Sequence, residues 1–400
     1  MPGYEWFGEE EKREIQEVLD TGVLFRYEFK DKRKGIFKVK IFEEAFARMT
    51  GSPFALAVSS GTAALKVALA ALGISPGDEV LVPGFTFVAT WEAVLETGAI
   101  PVFVEIDQSL NMDPEDLPKK ISPRTKAVIP VHMLGAPARI KEIVAFARKH
   151  GLSVIEDTAQ ACGGTLEGKY LGTFGDMGTF SFDSVKTLTT GEGGMVLTGE
   201  GTLYRRSDEY HDHGHDHNPL VGRGLEGRSF SGFNFRMMEI QGAIGLAQLA
   251  KLPAMIERQK MHKNRLWKIL EGYPLITFRE LPDLEGDTAT FFSFFLPDQG
   301  TAQKMKDALI REKLPPIYFY ENTWHVFRNW EHLKAGSTVC RTGWPYRDAG
   351  MGRSLNYGEI YLPQSDEILS RLLVFQVNLE VPLEEQARQE KALRKALESL

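Results

Sequence analysis

Lys186 stands in an unusual neighbourhood. It falls in the run Gly178-Thr179-Phe180-Ser181-Phe182-Asp183-Ser184-Val185-Lys186-Thr187-Leu188-Thr189-Thr190-Gly191-Glu192-Gly193-Gly194, between a β-like stretch and a Thr/Gly-rich turn. Most lysines occupy solvated faces. A lysine held among neighbours that let it lose its proton can instead act as a Schiff-base nucleophile. Ser181, on the same turn, could reach a phosphate. A second segment, Val154-Ile155-Glu156-Asp157-Thr158-Ala159-Gln160-Ala161, puts Asp157 directly after a buried-looking strand. Two readings of Asp157 stand side by side. It could cap a helix, or it could hold a protonated pyridine nitrogen and so keep the ring an electron sink. A third segment, Ser59-Ser60-Gly61-Thr62-Ala63-Ala64, is a small-residue turn running into a helix. Its free N–H groups and the positive end of the helix dipole suit a phosphate, although the turn alone does not distinguish that role from an ordinary helix start.

These residues need a scaffold, and the first half of the chain supplies one. After the turn at 59–61, Thr62-Ala63-Ala64-Leu65-Lys66-Val67-Ala68-Leu69 is rich in helix formers, and Gly73 and Pro76-Gly77 end that segment. Strands are predicted at Glu79–Val82, Val102–Glu105, Ala127–Val131 and Ser153–Glu156, with a helix from Ile140 to His150 between the last two. Strands alternating with helices predict an α/β fold whose mainly parallel sheet is covered on both faces. Ligands collect at the C-terminal ends of such strands, where Asp157 falls. The second half changes character. Met237 to Leu270 reads as one or two long helices interrupted near Pro253, and Ala289–Phe295 as an aromatic β-segment. The expected division is a large domain over residues 1–250 and a smaller α+β domain over 251–400.

Composition excludes several function classes. The 400-residue chain carries 47 basic and 54 acidic side chains, a formal charge of −7, with 43% hydrophobic and 25% charged residues. Those are values of a globular protein, not a disordered one. Basic residues are spread along the chain, so no nucleic-acid partner is expected. No apolar run is long enough to span a membrane, and the first residues lack the pattern of a signal peptide. Only Cys162 and Cys340 are present, too few for a disulfide framework. A cytoplasmic enzyme is the expectation, with Cys162 read as a small packed residue.

Five ordered motifs then carry a resemblance. They are Ser-Ser-Gly-Thr-Ala-Ala-Leu at 59–65, Pro-Gly-Phe-Thr-Phe-Val-Ala-Thr at 83–90, and Glu-Asp-Thr-Ala-Gln-Ala at 156–161. The last two are Ser-Phe-Asp-Ser-Val-Lys-Thr-Leu-Thr-Thr-Gly-Glu-Gly-Gly at 181–194 and Asn-Phe-Arg-Met-Met-Glu-Ile-Gln-Gly-Ala-Ile-Gly-Leu-Ala-Gln-Leu at 234–249. Together they resemble the DegT/DnrJ/EryC1/StrS family of pyridoxal-phosphate-dependent sugar aminotransferases, which has the aspartate aminotransferase fold (fold type I). The resemblance implies that Lys186 forms the Schiff base with the cofactor and shuttles protons. It implies that Asp157 pairs with the pyridine nitrogen, that Gln160 bonds near the ring hydroxyl, and that Phe87 stacks on the ring. Gly61, Thr62 and Ser181 would hold the phosphate. Asn234 would reach the phosphate of a neighbouring subunit's cofactor, implying a homodimer with shared sites; from the residues alone, Asn234 reads as a turn or capping residue. One branch of the family has histidine in place of the lysine and dehydrates its sugar, so Lys186 favours amino transfer.

Other segments bear on the substrate. Met1–Lys12 with Phe25-Arg26-Tyr27, His211-Asp212-His213-Gly214-His215-Asp216-His217 and Asn322-Thr323-Trp324-His325 resemble one branch, the 8-amino-3,8-dideoxy-manno-octulosonate transaminases of lipopolysaccharide biosynthesis. That branch aminates an oxidised octulosonate (Kdo) with glutamate as donor. An acidic sugar needs cationic or donor groups, and the candidates are Arg26, His215, His217 and His325. Arg26 could equally form a surface ion pair. The alternating histidines at 211–217 could face one side of an extended segment and bind zinc. Turn-forming residues interrupt them and the cofactor reaction needs no metal, so no metal is expected. Two alternatives remain: an aminotransferase for a nucleotide-linked keto-deoxysugar, and a cofactor-binding regulator without turnover.

Overall fold

The computed structural model of the chain describes residues 3–348 and 353–400. Met1 and Pro2 of the N-terminal motif lie outside the described residues. Strands β1 (Phe54–Val58), β2 (Glu79–Pro83), β3 (Ile100–Val104), β4 (Thr125–Val128), β5 (Ser153–Asp157), β6 (Met177–Ser181) and β7 (Gly194–Thr198) form one sheet in the order β1-β7-β6-β5-β4-β2-β3. The pairs from β6 through β5, β4 and β2 to β3 are parallel, whereas β7 runs antiparallel to both of its neighbours. Every residue of β2, β6 and β7 is buried. That is why Val80–Val82 of β2 and Met195–Leu197 of β7 read as apolar runs with no in–out alternation.

Helices α1 (Glu9–Leu19) and α2 (Lys38–Thr50) precede the sheet, and α3 (Gly61–Leu72), α4 (Ala89–Leu95), α5 (Ile140–Lys149) and α6 (Gly201–Tyr210) connect or follow its strands. The start of α3 has a sharp local cause: Ser60 is the N-cap, and its hydroxyl accepts from Ala63 N at 3.0 Å. Its end falls at Gly73, whose φ of 78° lies in the left-handed region. Helix α5 buries Ile140, Ile143, Val144 and Ala147, the stripe its sequence spacing predicts.

The expected break near Pro253 does not occur. Helix α7 runs unbroken from Glu239 to Leu270 with Pro253 inside it. A proline in a helix interior costs about 3 kcal/mol. Burial on both sides of it offsets that cost, through Gly245, Leu249 and Leu252 before it and Met255, Leu266 and Leu270 after it. The same helix passes through residues 250 and 251, so the backbone is continuous there.

Beyond α7, β8 (Thr277–Phe278), β9 (Phe291–Phe295) and β10 (Leu372–Gln376) make a three-stranded antiparallel sheet. Helices α8 (Gln299–Arg311) and α9 (Leu383–Glu398) share a core with it around Phe292, Phe294, Met305, Leu373 and Leu393. The chain between them returns to the large sheet, where Phe319, Val326, Phe327 and Trp330 join a core with Phe85, Trp91 and Phe103. A short bridge pairs Phe85 with Val326. This return lays C-terminal residues across the loops that leave β2. No helix among the described residues is long and apolar enough to cross a membrane.

Candidate active site

Because β1, β2, β5 and β6 point the same way, the turns that leave them gather at one edge of the sheet. A cavity of about 510 Å³ opens there. The structure brings Gly61, Thr62, Phe87, Asp157, Gln160, Ser181, Lys186 and His325 together on its wall. A larger cavity of about 720 Å³ lies between α7 and the small sheet, lined in part by Met261, Trp267 and Phe278. It contains none of the residues singled out from the sequence, so size does not mark the chemistry here.

Asp157 ends β5 with its side chain buried. One oxygen accepts from the Thr90 hydroxyl at 2.9 Å and the other from Ala159 N at 3.1 Å. Burial still pushes its pKa above the ordinary carboxylate range, and these two bonds, with Lys186 and His132, only partly oppose it. A buried carboxylate in that state favours a cation next to it. Lys186 lies in the β6–β7 connection, and its backbone N donates to Asp183 O at 2.9 Å. Burial draws its amine pKa down, against the pull of Asp183 and Asp157. A lowered pKa makes the neutral, nucleophilic amine more accessible.

The remaining groups are equally specific. Gln160 Oε1 accepts from Leu134 N at 3.0 Å, which fixes the amide orientation and leaves its NH₂ as the donor for a ligand. Gly61 and Thr62 open α3, so their amides belong to the helix-end donors without an intrahelical acceptor. Gly61 is required by close approach, because a Cβ there would sit 2.7 Å from Ser181 Cβ and 3.0 Å from its Oγ. Phe87 packs edge-on to Trp324 with ring centres 5.9 Å apart, and its ring centre lies 5.4 Å from that of His325.

His325 corrects one expectation. Asn322 Oδ1 accepts from Trp324 N at 2.8 Å and His325 N at 2.9 Å, so it is an oxygen and an acceptor only. His325 Nδ1, 3.0 Å from that oxygen, is thereby assigned as the protonated nitrogen, leaving Nε2 as an acceptor. Burial, and secondarily Lys186, pulls its pKa down to about 4. His325 is therefore neutral near pH 7 and cannot supply the positive charge expected for a carboxylate.

Arg26, His215 and His217 do not line the cavity. Arg26 is sequestered: Nη2 meets Glu43 Oε1 at 2.8 Å, Nη1 donates to Ala57 O at 2.9 Å, and its side chain is 7% exposed. Neither a surface ion pair nor a substrate contact describes it on this chain. His215 pairs with Glu226 at 2.7 Å, and His217 packs on Tyr27 with ring centres 4.9 Å apart. Asn234 is exposed and bridges Asp212 instead of entering the cavity. Cys162 is buried and its thiol is pushed up to about 12 by desolvation, which leaves it inert. Among the described residues, no group of three or more His, Cys, Asp or Glu side chains is placed to hold a metal ion.

Sequence reasoning missed the shell behind Asp157. Thr86 and Thr90 hydroxyls lie 2.7 Å apart, so the pair forms a relay onto the carboxylate. Glu156, beside Asp157, points the other way. It accepts from Phe174 N at 2.6 Å, Gly175 N at 2.7 Å and Gly172 N at 2.9 Å, with His132 Nε2 at 3.0 Å. His132 Nδ1 accepts from Ala138 N, so its Nε2 carries the proton given to Glu156. Both threonines stand in the 83–90 run, but nothing in their spacing says which residue they serve.

These features fit pyridoxal phosphate: a buried carboxylate short of a cation, a lysine biased toward its neutral form, and a helix N-terminus cleared of side-chain bulk. Comparison with known proteins agrees. Residues 7–345 match the DegT/DnrJ/EryC1/StrS aminotransferase family, whose members use pyridoxal phosphate. GDP-perosamine synthase of Escherichia coli O157:H7 is 42% identical over 251 residues, 62% of this chain and 65% of that protein, so the match spans just under two thirds of the relative. The UDP-N-acetyl-3-dehydro-alpha-D-glucosamine 3-aminotransferase of Acidithiobacillus ferrooxidans is 37% identical over 73% of this chain and 77% of its own length. An aminotransferase structure from Psychrobacter cryohalolentis superposes with a TM-score of 0.82 at 26% identity, covering 97% of this chain and 96% of that one. With a fold of type I and these residues on one cavity, the chain belongs to the DegT/DnrJ/EryC1/StrS aminotransferase family.

Proposed function

We propose that the chain moves an amino group from glutamate to the carbonyl of a nucleotide-linked keto sugar. The observation that carries amino transfer is the placement of Lys186 and Asp157 on one cavity with the α3 N-terminus. When bound, the cofactor stabilises the carbanion left as the amine-bearing carbon loses its proton. Lys186 Nζ takes and returns that proton. Asp157 would keep a ring nitrogen positive, the Gln160 NH₂ would donate to a ring oxygen, and the Gly61 and Thr62 amides with Ser181 would hold the phosphate.

The substrate class rests on two further points. The relatives named above are a GDP-perosamine synthase and a UDP-linked glucosamine aminotransferase. Among the described residues lining the cavity there is no arginine, and the one lysine, Lys186, is biased toward its neutral form. That lining suits a neutral hydroxylated sugar better than a carboxylate. His325 Nε2 fits this as an acceptor for a sugar hydroxyl.

A second copy of the chain completes the proposed enzyme. Asn234 is exposed, and Leu220, Leu225, Phe233 and Met238 near it are 90%, 82%, 54% and 48% exposed. Exposed apolar side chains of this kind suit burial in a partner. Asn234 would then approach the partner's phosphate site.

The octulosonate acceptor remains a second reading, favoured by one observation. The segments around Tyr27 and His211–His217 meet in space, with Tyr27 Oη 3.2 Å from His211 Nε2, and Asp212 bridges Asn234. They thus form one unit on the proposed shared face. The deciding experiment loads purified protein with pyridoxamine phosphate and offers a nucleotide-linked keto sugar or the 8-oxo-octulosonate. Mass spectrometry follows the amino sugar, with Lys186→Ala as control. Amination of the nucleotide sugar supports the first reading. Amination of the octulosonate alone replaces it with the second. No product from either, with no conversion by glutamate, overturns the proposal in favour of a cofactor-binding regulator.

A further inference from the structure

The N-terminal motif has so far no role, yet its first described residue touches the backbone of the active-site lysine. Gly3 N donates to Lys186 O at 2.9 Å. Gly3 is buried there, in a single helical turn spanning Gly3–Trp6. A Cβ on Gly3 would run into the Thr187 carbonyl oxygen, and would also lie 2.9 Å from Gln248 Oε1 and 3.1 Å from Lys186 O. The obstacle is backbone on the lysine's own loop, so a side chain at position 3 must displace that loop or lose the hydrogen bond.

The turn is fastened at its far end to the C-terminal part of the chain. Glu5 Oε2 accepts from Leu379 N at 2.9 Å and Glu380 N at 2.7 Å, while Trp6 Nε1 donates to Glu380 Oε1 at 2.7 Å. Lys251 Nζ, on α7, donates to Trp6 O at 2.9 Å and pairs with buried Glu11 at 2.8 Å. A neighbouring tie runs in parallel: Thr187 Oγ1 donates to Gln259 Oε1 at 3.4 Å, and Gln259 Nε2 donates to Val377 O at 3.0 Å. The lysine loop is thus held to residues 377–380 through Gly3 and Gln259.

We infer that the turn Gly3–Trp6 positions Lys186, and that position 3 is glycine because its backbone must lie against the Lys186–Thr187 carbonyls. The inference rests on the reading of Lys186 as the proton-shuttling lysine. Gly3 is a positioning residue: it does not line the cavity and acts through the lysine's main chain. The same contacts join the lysine loop to the C-terminal part of the chain.

The test uses cofactor-loaded enzyme carrying Gly3→Ala, with Gly8→Ala as control. A Cβ at Gly8 meets only the tips of Glu10 and Lys251, at 3.3 and 3.9 Å, which can swing aside. For Gly3→Ala we expect kcat to fall about tenfold or more, since misplacing reacting groups by about 1 Å costs up to about 100-fold. The pH at which the visible band of the bound cofactor titrates should move by about half a unit or more. Gly8→Ala should change neither. A merely structural role would lower the melting temperature and leave the band's titration in place, and that result would overturn the inference. So would an unchanged kcat in Gly3→Ala. Should that variant not fold, Glu5→Ala frees the far end of the turn without adding bulk, and the same two readouts decide. Full turnover by Lys186→Ala would sink the reading beneath the inference; an inert Lys186→Ala beside an unaffected Gly3→Ala would sink the positioning alone.

Discussion

Replacing Asp157 with asparagine isolates the charge of the carboxylate from its shape. The carboxylate accepts one bond on each oxygen, from Thr90 Oγ1 at 2.9 Å and Ala159 N at 3.1 Å. Asparagine keeps an acceptor for Ala159 N. Its amide donates where the carboxylate accepted, and Thr90 can turn its hydroxyl to receive it, because its contact with Thr86 at 2.7 Å works in either sense. The cavity therefore keeps its hydrogen bonds and loses a negative charge. Leaving a buried cation without its partner costs about 3–5 kcal/mol. At about 1.4 kcal/mol per tenfold, that predicts a fall in kcat of about 100- to 3,000-fold. Stability should change little or improve, since burial already works against this carboxylate in the free protein. The assay is single-turnover conversion of the cofactor-loaded enzyme by glutamate, paired with thermal denaturation of the cofactor-free protein. A variant retaining more than about a third of the wild-type rate, against the at least 100-fold loss expected from an unpaired buried charge, would show that Asp157 only holds the turn that follows β5.

Three further outcomes are expected. Thr90→Val removes the hydroxyl on Asp157 while preserving shape, and a hydrogen bond to a charged group contributes about 1.5–3 kcal/mol, so cofactor affinity measured by absorbance titration should drop about 10- to 100-fold. Arg26→Met should lower the melting temperature, because it strands the buried Glu43 carboxylate at a cost of about 3–5 kcal/mol, and should leave the KM of the acceptor sugar unchanged in steady-state kinetics. His325 has a folded pKa of about 4, below the 6.5 of an unfolded histidine, so the unfolded state binds the extra proton between those values. Its contribution is therefore intact above pH 6.5 and is lost as pH falls toward 4. Urea denaturation should show wild type losing about 3 kcal/mol more than His325→Gln across that window; equal losses would contradict the neutral imidazole.

How much of this was legible in the sequence depends on the range of the interaction. Helix α3 announces itself locally: Ser60 as cap, an alanine-rich body and Gly73 as stop are successive residues, and each acts within one turn. Strands β2 to β5 were legible as apolar runs, and their common direction placed Asp157 at the ligand-binding edge, whereas β1 and the antiparallel β7 gave no such signal, and it is the fold that brings Gly61, Thr62, Ser181 and Lys186 beside it. His325 shows where that logic ends. Its residue type suggested a cation, but its protonation depends on Asn322 Oδ1 being committed to two backbone amides and on burial against Lys186, neither of which is encoded near it in sequence. Arg26 fails for the same reason, since Glu43 lies 17 positions away and reaches it only because α2 packs beside β1. Pro253 is the converse, a strong local stop signal overridden by burial on both sides of it. A side chain's charge state and reach are set by what the fold places around it. Residue type and motif therefore pointed to the groups proposed for the cofactor, which the fold gathers on one cavity, but not to groups for the sugar, which any hydrogen-bonding side chain of suitable placement could supply.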